Sequence, residues 1–231
     1  MNNTDVILLP GERVDDLQLN GLRIIQNPSL FRFGADAVCL ANFAKAKKRE
    51  TALDLGTGSG VIPILMSAKT EARFFTGLEI HPETAGMARR SVLLNGLEGR
   101  IRIDTGDIKT APALYGTGAF DWVTVNPPYI PRSADEKLNA NAALTIARHE
   151  IYCRLSDIVS SSALLLKPGG RLYIVHRADR LADVFEALRA NNLEPKILQL
   201  VQHGEKKPSL ILAEAALGGK PGLDVLPPLR L

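Results

Sequence analysis

Apolar and polar positions change their period several times along this chain, and each change marks an element. In VDDLQLNGLRIIQN (14–27), Leu17 and Leu19 precede Asn20-Gly21, and Leu22 and Ile24 follow it. Alternation across a dipeptide that tolerates positive φ twice is the pattern of a β-hairpin, with Leu17 set opposite Ile24 and Leu19 opposite Leu22. After Pro28, the Ala-rich run FGADAVCLANFAKAKKRE carries Val38 and Phe43 at helical spacing and ends in Lys45, Lys47, Lys48 and Arg49. That spacing predicts a helix. Residues 1–50 therefore read as a hairpin-and-helix cap on a main domain at 51–231.

From Thr51 onward, strand and helix patterns alternate. TALDLG, RFFTGLEI, RIRIDTGD, FDWVTVN, RLYIVHR, KILQLVQ and SLILAEAAL read as the strands of a seven-stranded sheet. GVIPILMSAKT, PETAGMARRSVLLNG, IYCRLSDIVSSSALLLKPGG and ADRLADVFEALRANN read as helices. The expected fold is α/β, a doubly wound and mostly parallel sheet with helices on both faces. No helix separates the last two strands, so they are expected to form an antiparallel edge. Pro and Gly in KPGLDVLPPLRL predict a tail without regular structure.

Composition narrows this picture without identifying a function. The 231 residues carry 28 Lys+Arg against 25 Asp+Glu, a net +3, and two cysteines. A chain of this length buries a sizeable core without disulfides or structural metal. Cys39 and Cys153 cannot make a Cys-rich zinc site and read as small buried hydrophobes. The start MNNTDVILLPGERVDD has no basic region followed by a long apolar stretch, and no window reaches the ~18 apolar residues of a membrane span. A soluble, cytoplasmic protein is expected. The charge excess is too mild to establish a nucleic-acid partner.

In an open doubly wound sheet, ligands bind beyond the carboxyl ends of the strands. Asp54-Leu55-Gly56-Thr57-Gly58-Ser59-Gly60 turns from strand to helix there; Gly56, Gly58 and Gly60 let the backbone approach a ligand closely, and the helix adds amide donors. The spacing is neither that of a Gly-Lys-Ser/Thr phosphate loop nor the dinucleotide Gly-x-Gly-x-x-Gly, and alone it reads as well as a packing turn. Glu79 closes the next strand, where an acid accepts both hydroxyls of a ribose, though a solvated acid also ends strands. Asp107 follows the third strand, where an adenine amine can be read or a helix capped.

Asn126-Pro127-Pro128-Tyr129 follows the fourth strand. Two prolines fix the chain so that the Asn126 amide and the Pro127 carbonyl converge on one point, and Tyr129 offers a stacking face. Together they are acceptors for an NH2 group attached to a planar system.

With these residues in view, the chain resembles the S-adenosylmethionine-dependent N-methyltransferases that act on planar nitrogen. Asp54 to Gly60, Glu79, Asp107 and Asn126 to Tyr129 correspond to their nucleotide, ribose, adenine and catalytic motifs. The class includes adenine-N6 methyltransferases of nucleic acids and glutamine-N5 methyltransferases of release factors. The latter usually carry a helical N-terminal domain and a Glu-Pro…Ala-Leu…Gly-Gly stretch, where this chain has a hairpin and NANAALTIARHE. FRFGADAVCLANFA, Ala147-Arg148-His149-Glu150 and the ending from Leu198 to Leu231 resemble the bacterial tRNA(Val) adenine-N6 methyltransferase family, whose substrate is the adenosine next to the anticodon. The chain departs from that family in reading Val201-Gln202-His203-Gly204 where Val-His-Pro is frequent, and in Gly34, where many members have a polar residue.

The resemblance implies a Rossmann-like methyltransferase fold, S-adenosyl-L-methionine as cofactor, tRNA as partner and no metal. Asn126 and Pro127 would accept the amine hydrogens, and Tyr129 would hold an unstacked base. Lys45, Lys47, Lys48 and Arg49, with Lys206 and Lys207, are candidate phosphate contacts or solvated faces. Arg148 and His149 reach the nucleotide or brace their loop. A protein glutamine methyltransferase and a catalytically silent RNA-binding module are the alternatives, and the intact Asn126 argues against the second.

Overall fold

The computed structural model describes residues 6–30, 33–127 and 154–231. A hairpin of β1 (Arg13–Asp16) and β2 (Arg23–Gln26) leads into α1 (Ala35–Phe43). Then follow β3 (Thr51–Leu55), α2 (Val61–Lys69), β4 (Phe74–Glu79), α3 (Pro82–Leu94), β5 (Ile101–Thr105), a short α4 (Ala111–Tyr115) and β6 (Phe120–Val125). The rest runs α5 (Leu155–Leu165), β7 (Leu166–Arg177), α6 (Leu181–Ala190), β8 (Leu193–Gln202), β9 (Leu210–Leu217) and β10 (Asp224–Arg230).

The large sheet has the order β5-β4-β3-β6-β7-β9-β8-β10. Neighbours from β5 to β7 are parallel, β9 is antiparallel to β7 and β8, and β10 is parallel to β8. The doubly wound, mostly parallel sheet is thus as expected, and β8 and β9 pair antiparallel. Two details differ. The sheet has eight strands instead of seven, and its edge is the tail, which had read as irregular. Pro227 and Pro228 break the register between Leu226 and Leu229, and an outermost strand tolerates residues that cannot donate to a ladder.

The hairpin closes two residues away from the expected register. Asp15 faces Ile24 and Asp16 faces Arg23, and Leu17 N donates to Leu22 O at 2.9 Å. Gln18, at φ 53°, donates its N–H to Asp16 Oδ1 at 2.7 Å. This aspartate-seeded turn competes with a two-residue Asn-Gly turn and lengthens the loop. The hairpin then rests on α3, where Ile25 N donates to Ser91 Oγ at 3.0 Å.

Two apolar layers flank the sheet. One joins Ile24 and the α1, α2 and α3 side chains to Ala52, Phe75, Trp122 and Tyr173. The other packs α5 and α6 against Leu53, Leu55, Val123, Val125, Leu172 and Ile174. Alternate residues of each strand thus feed opposite layers. Within the first layer, Phe43, Tyr173, Trp122 and Phe75 form an edge-to-face series with ring centroids 6.1, 6.0 and 5.8 Å apart. Each such pair adds about 0.5–1.5 kcal/mol beyond area burial, so the series pins the end of α1 to β7, β6 and β4. Helix α1 stops at Phe43, short of the basic cluster that the helical pattern was expected to include, and Arg49 sits at φ 69°. Cys39 is a free, buried thiol in this layer. Among the described residues, no helix is long and apolar enough to cross a membrane.

Candidate active site

The carboxyl ends of β6, β3, β4 and β5 lie side by side, and they bring together the glycine turn, Glu79, Asp107 and the Asn126-Pro127 start of the fourth motif. After β3 the chain makes its glycine turn, with Gly56, Gly58 and Gly60 at φ 70°, 56° and 82°. Such values are costly for residues bearing a Cβ. Gly56 and Thr57 donate their backbone N–H groups to Leu78 O at 2.9 and 3.0 Å, and Gly58 N donates to Glu79 Oε2 at 3.0 Å. Glu79 is 7% exposed, and its Oε1 accepts from His81 N at 3.0 Å. One carboxylate therefore clamps the glycine turn to the end of β4, while each of its oxygens keeps lone-pair capacity for a ligand hydroxyl.

Gly77 supports this clamp from below. A Cβ there would lie 2.8 Å from Thr57 Cγ2 and Oγ1 and 2.7 Å from Ile103 Cδ1. Gly77→Ala is expected to lift Thr57, loosen the turn and cost about 1–3 kcal/mol of stability, the usual range for overpacking. Thermal unfolding together with cofactor titration checks this; an alanine variant equal to wild type in both would mean that the turn absorbs the extra carbon freely.

Asp54 lies beneath the turn, 4% exposed, with Thr124 Oγ1 donating to its Oδ1 at 2.6 Å. Its Oδ2, with Thr57 Oγ1 and Ser59 Oγ, is buried without a hydrogen-bond partner among the described residues. Burial pushes the Asp54 carboxyl up to about 7; the Thr124 hydrogen bond and the neighbouring Thr57 hydroxyl oppose the rise and the Glu79 charge adds to it. In the unfolded chain the same group ionises near 3.8. Between those values the folded state holds the proton that the unfolded state has lost, so stability falls as pH rises from about 4 to 7. Asp54→Asn removes that fall. Its melting temperature relative to wild type is expected to climb by several degrees between pH 5 and pH 8; parallel melting profiles across this range would contradict a protonated Asp54.

Asp107 follows β5 and caps the short 3-10 turn Ile108–Thr110, with Oδ1 accepting from Lys109 N at 2.9 Å. It is half-buried, and its Oδ2 lies 3.8 Å from Lys109 Nζ. Ile108 Cδ1 lies 3.9 Å from the position of a Gly56 Cβ, which brings this segment against the glycine turn.

Asn126 and Pro127 emerge from β6. Leu55 pairs with Val125, so Asn126 is level with Gly56 on strands about 4.8 Å apart. Asn126 Nδ2 donates to Asp36 Oδ2 at 3.1 Å. Asp36, in the first turn of α1, escaped the sequence reading because an acid at a helix start is an ordinary dipole partner. The one available signal was its place two residues after Gly34. Tyr129, Arg148, His149 and Cys153 lie outside the described residues.

The basic residues divide between the two ends of the sheet. Helix α1 runs from Asp36 at the carboxyl end toward Phe43, and Lys45, Lys47, Lys48 and Arg49 precede β3 at its amino end. There Tyr173 Oη and Arg171 Nη1 donate to Lys45 O at 2.9 and 3.1 Å, and Lys48 pairs with Glu71 at 3.9 Å. This cluster is not brought to Asn126. Lys206 and Lys207 are exposed in the β8–β9 connection, and Arg177 pairs with Leu210 at the start of β9. They share the carboxyl end with Asn126.

Among the described residues, no group of three or more His, Cys, Asp or Glu is arranged to hold a metal. The arrangement instead offers carboxylates for hydroxyl and amine groups, a backbone turn open at Gly56, and an amide–carbonyl pair beside it.

Residues 34–192 match the methyltransferase small domain family. A tRNA1(Val) (adenine(37)-N6)-methyltransferase of Porphyromonas gingivalis is 29% identical over 198 residues, 83% of this chain and 76% of that protein. A release factor glutamine methyltransferase of Chlorobaculum tepidum is 28% identical over 153 residues, 64% of this chain and 52% of that protein. Among solved structures, a predicted O-methyltransferase from Agrobacterium tumefaciens superposes with a TM-score of 0.67 at 20% identity, over 84% of this chain and 86% of that one.

Proposed function

The chain belongs to the methyltransferase small domain family, and from that premise we propose that it methylates the exocyclic N6 amine of an adenosine in tRNA, beside the anticodon. The observation that carries the proposal is the register of β3 and β6, which sets Asn126 and Pro127 level with the glycine turn.

S-adenosyl-L-methionine is the methyl donor of this enzyme. The donor set fits it. Glu79 and Asp107 are acceptors for ribose hydroxyls and an adenine amine, Gly56 exposes backbone without a side chain, and Ser59 Oγ is left without a partner among the described residues at the same turn. When bound, the donor supplies an electrophilic methyl group on a sulfonium.

The chain's own residues act on the acceptor. An adenine amine is a weak nucleophile because its lone pair is delocalised into the ring. Asn126 Oδ1 and the Pro127 carbonyl accept its two hydrogens, which favours a pyramidal nitrogen with its lone pair free to attack. In bonding the methyl carbon the nitrogen would displace the donor's sulfur as a neutral thioether, and the methylated, cationic amine would then release one proton to solvent. Holding donor and acceptor in line supplies most of the acceleration. Tyr129 stacks on the extruded base. Lys206 and Lys207, at the same end, contact phosphates, and an unpaired loop nucleotide presents the base edge that an A-form stem hides.

A glutamine side-chain amide is also an NH2 on a planar group, and the same acceptors suit it; the release-factor relative supports that second reading. The longer match to the tRNA-modifying relative favours the first. Labelled methyl transfer to bulk tRNA from a strain lacking this gene, run beside transfer to release factor, separates them. Label is expected in tRNA, and label confined to release factor would move the assignment to glutamine.

A further inference from the structure

We propose that Asp36 is a positioning residue that orients the Asn126 side chain for reaction, an inference that rests on the role of Asn126 proposed above. A primary amide has an accepting end and a donating end, and rotation by 180° about its last torsion exchanges them at little intrinsic cost. Only one orientation is useful to an incoming amine, because the amine's hydrogens need Oδ1. Asp36 Oδ2 accepts a hydrogen from Asn126 Nδ2 at 3.1 Å. An aspartate carboxylate offers acceptors and no donor, so the flipped amide would set two oxygens against each other. Oδ1 is thereby turned away from α1 and left for the substrate.

The surroundings hold Asp36 in this pose. Its Oδ1 accepts from the Ala37 backbone N–H at 2.9 Å, and its position in the first turn of α1 favours negative charge. The helix is fixed at its far end by Phe43 against Tyr173. Gly34 completes the arrangement, since a Cβ there would lie 2.7 Å from Asp36 Oδ1 and force the carboxylate to shift. Gly34, with φ at −106°, therefore does not serve backbone strain. It leaves room for the carboxylate, which gives a physical reason for the small residue at this position.

The test compares Asp36→Asn, Asp36→Ala and Gly34→Ala with wild type in single-turnover methyl transfer to tRNA, with cofactor affinity measured by calorimetry on each. Asp36→Ala is expected to lower the rate about 10-fold with cofactor affinity within twofold. Asp36→Asn should fall between, because an amide neighbour pairs with either orientation of Asn126, and Gly34→Ala should reproduce part of the loss with the charge intact. In an Asn126→Ala background, Asp36→Ala should cost nothing more, since its effect passes through the amide. Full activity of Asp36→Ala, or an undiminished 10-fold loss in the Asn126→Ala background, would overturn the proposal. Loss of cofactor affinity in the isosteric Asp36→Asn would do so as well, by assigning Asp36 a structural role. If wild type transfers no methyl to tRNA, the functional reading has failed instead, and the same comparison on release factor still decides the role of Asp36.

Discussion

Asn126→Ala is expected to cut single-turnover methyl transfer by about 100- to 1000-fold, the range seen when one hydrogen-bonding group that serves the transition state is removed. Cofactor affinity should stay within about twofold, because the Asn126 amide is bonded to Asp36 and is not part of the Glu79 clamp. Asparagine's contribution is geometric as well as electronic, so Asn126→Asp tests the same point from another side. A carboxylate would accept the amine hydrogens but would be repelled by Asp36, and its variant should also be strongly impaired. Measuring rate and affinity on the same preparations keeps the two effects apart. A variant with wild-type rate would remove Asn126 from the chemistry, and one that loses cofactor binding in proportion to rate would make it a binding residue.

Glu79→Ala carries the second large effect, on affinity. In the proposed role the carboxylate does two jobs: it holds Gly58 N and His81 N, and it would offer its remaining lone pairs to ribose hydroxyls. Charged hydrogen bonds of this kind contribute about 1.5–3 kcal/mol each. Truncation is therefore expected to weaken cofactor binding by roughly 10- to 100-fold and to loosen the turn. Glu79→Gln separates these jobs, since one amide oxygen can still accept from Gly58 while the second acceptor becomes a donor. Calorimetry on folded protein should rank wild type, Gln and Ala in that order of affinity; equal affinities would place the ribose elsewhere.

Much of this site was legible in the chain because parallel strands buried on both faces read as short apolar runs, and ligand-binding residues follow such runs directly. Asp54, Glu79, Asp107 and Asn126 all sit within two residues of a strand end, so correct strand ends were enough to gather them. The misreadings have physical causes. Pro227 and Pro228 look like strand breakers until one knows that the strand is outermost with a shifted register. The hairpin slipped because a local side-chain bond from Asp16 outcompeted the Asn-Gly turn. The placement of Lys45 to Arg49 relative to Asn126 was not among the sequence expectations, because which way α1 crosses the sheet is a tertiary fact that spacing does not encode. Asp36 was invisible for the same reason, since its bond to Asn126 spans 90 residues.

The measurement that tests the central claim most directly is nucleoside analysis by mass spectrometry of tRNA treated with the enzyme and S-adenosyl-L-methionine, with Asn126→Ala as the control. The account predicts N6-methyladenosine at one position beside the anticodon with wild type and a trace at most with the variant. Treated tRNA that contains no N6-methyladenosine, or contains equal amounts with both proteins, would contradict it.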